Sequence, residues 1–272
     1  MARDGGKSSG SSQAAAKERR TATAAEAAAV AVMQANNHVA SLLSHELNTP
    51  LSVVMAAVET LVDDLKAGGL PAEVREDLFG LIHQNIDRLR HNIGRLVLFM
   101  QLEWELQQGL GPPHVYPDVD LNDAVRLAQG LLGETHRDKG VAVAMSLAAD
   151  LPMLTCSPDR LETCIHELLT NAYKFTPRSG EVQVETSQIT GRRVRLQVRH
   201  PQNQLDARKL ELVYLPFWQS EALNTRHTDG LGLGVPIAKR LVRSMGGDLR
   251  VQLGPDGMLC FQVDLPMTVG ES

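Results

Sequence analysis

"SHELNTPLS", residues 44–52, sets a histidine directly before a glutamate and a proline five positions after the histidine, inside a stretch that otherwise reads as helix. Around it Leu47, Leu51, Val54, Val58, Leu61 and Leu65 recur at alternating steps of four and three. That is the heptad pattern of a helix with one apolar seam. "AGGLP" (67–71) breaks the run with glycines and a proline. The alternation then resumes through Phe79, Ile82, Ile86, Leu89, Ile93, Leu96 and Met100. Two such helices joined by a short loop form an antiparallel hairpin. A lone hairpin buries little area, so two chains are expected to pair into a four-helix bundle.

His45 lies two positions from both Leu43 and Leu47, roughly 200° round the helix from each, and so faces water. An isolated surface histidine is ordinarily unremarkable chemically, but this one has Glu46 beside it. A carboxylate that hydrogen-bonds one ring nitrogen leaves the other nucleophilic near neutral pH. Pro50 removes the amide that would bond the Glu46 carbonyl, so a bend is expected at His45–Glu46. A proline inside a helix costs about 3 kcal/mol, a cost that points to a use.

The chain has 272 residues, 43% hydrophobic and 22% charged, with a formal net charge of −5. This composition fits a soluble protein and argues against a nucleic-acid surface. Cys156, Cys164 and Cys260 have no metal-ligand or paired spacing and read as reduced thiols of a cytoplasmic protein. The best apolar candidate, "AAEAAAVAVM" (24–33), is too short to span a bilayer.

Residues 1–20 read as a disordered N-terminus and 21–37 as an alanine-rich helical lead-in. Residues 38–110 form the hairpin domain, 111–117 a linker, 118–267 a second domain and 268–272 a tail. In the second domain "VAVAMSLA" (141–148) alternates as a strand does, and "SPDRLETCIHELLTNAYKF" (157–175) is a helix capped by Ser157 with Pro158 at its first position. "GEVQVETSQI" and "RRVRLQVRH" pair around Thr190–Gly191, "VPIAKRLVRSMG" is another helix, and residues 248–266 are a hairpin with a Pro-Asp-Gly turn. The predicted fold class is α+β: a helical hairpin forming a dimeric four-helix bundle, followed by an α/β sandwich.

"SHELNTPLS" resembles the phospho-acceptor box of the sensor histidine kinases of two-component systems. "HELLTNAYKFTP" (166–177) resembles that family's asparagine-containing ATP box, "PFWQS" (216–220) its Phe box, and "DGLGLGVPIAKRLV" (229–242) its second Gly-rich box. Four boxes in order over a heptad hairpin and an α+β domain make a specific match.

The resemblance implies that His45 accepts a phosphoryl group from ATP, with Glu46 as general base, and passes it to an aspartate of a response-regulator receiver domain. Asn48 and Thr49 match positions that orient water for the reverse, phosphatase reaction. Asn171 matches the Mg²⁺-coordinating asparagine. Glu167, where an asparagine is common, offers a further oxygen donor. Lys174 would lie near the phosphates and Phe175 near the base. Gly230, Leu231, Gly232 and Leu233 match the loop that carries the phosphates to the next helix. The implied partners are a second copy of the chain, the receiver domain, and an upstream sensor protein or missing sensor region; nucleic acid and a membrane span are not among them.

The match fails in one place. Where the family has an Asp-x-Gly-x-Gly segment, this chain has His200, Gln202 and Gln204. Without the aspartate that reads the adenine amine, weak ATP binding and poor discrimination against guanine are expected. The alternative is a pseudokinase, a phosphotransfer or phosphatase dimer that no longer binds ATP well.

Overall fold

The structure is a computed structural model that describes residues 39–109, 118–135, 139–202, 205, 207–219 and 230–267. The expected disordered N-terminus, helical lead-in, linker and tail, and position 204, lie outside the described residues.

The first described helix, α1 (residues 39–67), runs unbroken through Pro50, so the missing amide does not interrupt it. Gly68 and Gly69 have φ of 69° and 117° and turn the chain out of it. The carboxylate of Asp64 fastens the turn, accepting from the Leu70 amide at 2.9 Å and pairing with Arg75 Nε at 2.8 Å. α2 (Ala72–Gln107) then returns over 36 residues.

Burial splits each expected seam in two. Leu47, Val54 and Leu61, and Ile82, Leu89 and Leu96, are half-buried in the single chain. Their alternates Leu51, Val58 and Leu65, and Phe79, Ile86, Ile93 and Met100, are exposed. One heptad position therefore packs the two helices on each other. The other, joined by Met55 and Val62, leaves an apolar stripe along the hairpin.

The second unit is a sheet backed by helices. β1 (Asp118–Val119) pairs with β3 (Leu154–Thr155), and the main sheet contains β2 (Ala142–Leu147), β4 (Glu181–Ile189), β5 (Arg193–Pro201), β6 (Asp248–Leu253) and β7 (Met258–Pro266). Its order is β2-β4-β5-β7-β6, with β2 parallel to β4 and the other pairs antiparallel. α3 (Leu121–Thr135), α4 (Pro158–Phe175) and α5 (Gly234–Ser244) pack side by side, α4 and α5 against the sheet. Val194, Leu196 and Val198 alternate inward on β5, as expected for a strand with one covered face. A 3₁₀ segment, Ala207–Tyr214, follows β5. The three cysteines are buried free thiols, and burial pushes Cys156 up to about 11 and Cys164 up to about 12.

Candidate functional site

The first half of the site is on α1. His45 is exposed, while Glu46, one residue on and 100° round the helix, turns inward and is 6% exposed. Its carboxylate takes a contact of 3.5 Å from Arg88 of α2 and not from the imidazole. Thr49 donates its hydroxyl to the His45 carbonyl at 2.7 Å, and Asn48 and Thr49 are exposed on the same stretch.

The second half is built by α4. Ser157 caps the helix, accepting from the Arg160 amide, and the amphipathic pattern that follows buries Ile165, Leu168 and Leu169. This orientation sets Glu167, Asn171 and Lys174, at i, i+4 and i+7, along one edge. Asn171 Nδ2 donates to the Glu167 carbonyl at 3.1 Å. Lys174 Nζ lies 5.1 Å from the centre of the Phe175 ring.

Facing that edge is the start of α5. Gly230 and Gly232 have φ of 144° and 65°, and a Cβ on Gly232 would stand 2.6 Å from the Trp218 carbonyl oxygen. Gln219 Nε2 donates to the Gly230 carbonyl. A Cβ on Gly230 would meet Lys174 Nζ at 3.4 Å. Leu231 and Leu233 are fully buried in the apolar core, so their side chains do not line the site and only their main chain is available to a ligand.

Gly234, which sequence reading did not single out, closes the arrangement. A Cβ there would come within 2.5 Å of Asn171 Nδ2 and 3.1 Å of both Glu167 Oε2 and Arg95 Nη2. The space between helix start, carboxylate and amide is thus a cradle that even a methyl group would fill. A carboxylate and an amide oxygen suit Mg²⁺, which takes few protein ligands and completes its shell with phosphate and water; Asn171 turns its Nδ2 to this space, so the amide would have to rotate to offer its oxygen. The amides at the start of α5 suit the phosphates.

Arg95 is the other residue that sequence reading missed. It belongs to α2, yet its Nη2 donates to Glu167 Oε2 at 2.6 Å. Beside this pair a cleft of about 540 Å³, lined among others by Arg90, His91 and His166, separates α2 from α4. Burial, and then the charge of Arg95, hold the His91 imidazole below its ordinary range.

His200, the last residue but one of β5, is fully buried, its ring stacked 5.7 Å from Phe261. Burial pushes its pKa down to about 4, with Lys139 adding to the effect. Nδ1 lies 3.1 Å from the Pro201 carbonyl, and a carbonyl only accepts, so Nδ1 carries the proton. Nε2 is then a bare acceptor, without a partner among the described residues. The position that lacks a carboxylate therefore does not lack an acceptor. Gln202 is buried beyond it, its main-chain N–H donating to the Gly257 carbonyl.

Comparison with known proteins gives a consistent picture. The His kinase A (phospho-acceptor) domain profile matches residues 35–103. That of the histidine kinase-, DNA gyrase B-, and HSP90-like ATPases matches residues 156–269. The chain is 25% identical over 218 residues to a sensor-like histidine kinase of Rhizobium meliloti, covering 80% of this chain and 40% of that protein. It is 23% identical to the sensor histidine kinase ZraS of Klebsiella oxytoca, covering 86% and 46%. It thus spans less than half the length of these curated relatives. Full-length ShkA in complex with AMPPNP superposes with a TM-score of 0.61 at 27% identity, over 87% of this chain and 47% of that one. The Acinetobacter baumannii histidine kinase AdeS shares the fold with a TM-score of 0.61 at 17% identity, over 83% and 98%.

Proposed function

The chain belongs to the sensor histidine kinases of two-component systems, and from that premise we propose that it phosphorylates His45 from ATP and hands the phosphoryl group to a response-regulator aspartate. The observation that carries this reading is the pairing, in one chain, of an exposed His45 with the Glu167–Asn171–Lys174 edge facing the start of α5.

In the transfer, one ring nitrogen of His45 forms a bond to the γ-phosphorus while the bond from that phosphorus to the β,γ-bridging oxygen breaks, and ADP leaves. The proton of the other ring nitrogen passes to Glu46, which must first leave Arg88. Lys174 and the amides between Gly230 and Gly234 hold the phosphates, and Phe175 packs near the base. Asn171 and Glu167 would hold Mg²⁺, which when bound would supply charge neutralisation for the phosphates. Asn48 and Thr49, exposed one turn along from His45, are placed to orient water for the reverse reaction on a receiver domain. The exposed stripe from Leu51 to Leu65 and from Phe79 to Met100 is the surface on which a second copy closes the bundle. Input arrives from a sensor, either upstream in a longer chain or on another protein. The need for ATP places the reaction in the cytoplasm.

A second reading, a phosphotransfer or phosphatase dimer that does not use ATP, is favoured by one observation: His200 and Gln202 are buried where the family keeps an aspartate and a glycine. One experiment separates the two. Incubation with Mg²⁺ and γ-labelled ATP should give an acid-labile label on the native chain, none in His45→Ala, and a label slowed by about 10²–10⁴-fold in Glu46→Ala. A native chain that takes no label from ATP, but accepts one from a phosphorylated receiver domain, would establish the second reading.

A further inference from the structure

α2 carries a second stripe besides the seam. Arg88, Asn92, Arg95, Phe99 and Leu102 follow at steps of four, three, four and three, and all are at least half-buried within the single chain. What covers the far end of this stripe is the nucleotide-binding unit itself. Phe99 stands edge-on to Phe217 at 6.0 Å, Arg240 of α5 lies 4.4 Å over the Phe99 ring, Arg240 also pairs with Glu103, and Arg160 of α4 pairs with Glu105 at 2.7 Å. Arg95 is the member that enters the site.

Its guanidinium shares one small space with the Glu167 carboxylate, the Asn171 amide and the start of α5, all within 3.1 Å of the point where a Gly234 Cβ would be. A cation there meets the carboxylate just as a divalent ion would. Two such cations cannot share a space that leaves no room for a methyl group. The contact is also incomplete: Arg95 Nε is buried with no partner among the described residues, a defect that makes the closed arrangement easier to open.

We propose that Arg95 is a built-in competitor for the magnesium–triphosphate site at Glu167, held there by the packing of the nucleotide-binding unit on the Arg95–Glu105 stretch of α2. This rests on the reading of Glu167 and Asn171 as that site. Nucleotide entry displaces Arg95 and frees the unit from α2. The same helix face holds Glu46 through Arg88, two turns away, so a displacement of α2 reaches the phospho-acceptor box as well.

The test is binding of Mg²⁺·AMPPNP to the full chain by calorimetry. Arg95→Gln removes the competing cation and should bind about tenfold or more tightly than the native protein, the fold-change of one charge-assisted hydrogen bond. Glu103→Arg, which sets like charges against Arg240 without touching the site, should tighten binding in the same direction. Unchanged affinity in both variants, or weaker binding in Arg95→Gln, overturns the proposal, the latter by making Arg95 a nucleotide ligand. A second readout needs no nucleotide: amide exchange at residues 234–238 should quicken in Arg95→Gln. If exchange quickens but no variant binds AMPPNP, the nucleotide reading of Glu167 fails while the docking of α2 stands. If exchange does not change, the docking itself is refuted.

Discussion

Arg88 Nη2 stands 3.5 Å from Glu46 Oε2 and holds a carboxylate that is almost wholly withdrawn from water. Consecutive helix residues project about 100° apart, so the acid that follows His45 in sequence is not beside its ring but against the neighbouring helix. Glu46 is therefore both a tie between α1 and α2 and the base the proposed transfer needs, and it cannot be both at once.

The tie can be measured. Arg88→Gln leaves the nearly buried Glu46 carboxylate without its cation and should lower stability by about 1–3 kcal/mol in chemical denaturation, and Glu46→Gln, which removes that charge, should cost less. The double variant leaves two neutral groups able to bond each other, so its loss should be clearly smaller than the sum of the two. Additive losses would mean that the pair contributes nothing to the hairpin.

The two kinds of seam position make different predictions for assembly. Val58 is exposed in the single chain and Val54 half-buried. Val58→Asp should halve the mass seen by sedimentation while leaving the helical circular-dichroism signal near native. Val54→Asp should also lower the melting temperature, because it places a charge inside the hairpin. A native chain that sediments as a folded monomer would remove the basis for the bundle.

Gly234 tests the closeness of the cradle. It is the first residue of α5, outside the helix interior, so Gly234→Ala should change stability mainly through crowding by the methyl group, a loss of about 1–3 kcal/mol. That methyl group would stand 2.5 Å from Asn171 Nδ2 and push that amide from the Glu167 carbonyl. Affinity for Mg²⁺·ATP should fall by about tenfold or more while the chain stays folded by circular dichroism; equal affinity would show that Asn171 does not need its present place.

The heptad steps, the Ser157 cap and the Pro-Asp-Gly turn made the hairpin, α4 and the β6–β7 pair legible before any coordinates. They depend on neighbours within a few residues. α3 carries a local signal of the same kind, which the expected elements do not include: the Asp120 carboxylate accepts from the Asn122 amide at 2.7 Å, and Leu121, Ala124, Val125, Ala128 and Leu132 form its buried face. Leu231 and Leu233 fall in the loop that the resemblance assigns to the phosphates, whereas burial assigns their side chains to the core. Arg95 could not be read at all. Its contact with Glu167 spans 72 residues and exists only because two units meet, which no periodicity within α2 records.

The last prediction concerns His200. The sequence comparison expects poor discrimination against guanine, because no aspartate stands there. The ring geometry argues otherwise: with the proton on Nδ1, Nε2 is an acceptor that fits the amino group at C6 of adenine and repels the carbonyl oxygen of guanine. If this residue faces the base, native protein should prefer ATP to GTP by about tenfold or more, and His200→Phe, which keeps an aromatic ring against Phe261, should bind both alike. Equal binding of ATP and GTP by the native chain would show that Nε2 does not read the base. The same neutrality has a pH signature. The folded pKa of about 4 lies below the ordinary 6.5, so the unfolded chain binds the extra proton first as pH falls. Stability should then decline between pH 6.5 and 4, by about 3 kcal/mol when complete. His200→Phe should remove that part of the acid dependence and leave the part due to carboxylates. An unaltered pH–stability curve in His200→Phe would mean that the folded chain protonates His200 as readily as the unfolded chain does, so that burial does not hold the ring neutral in acid.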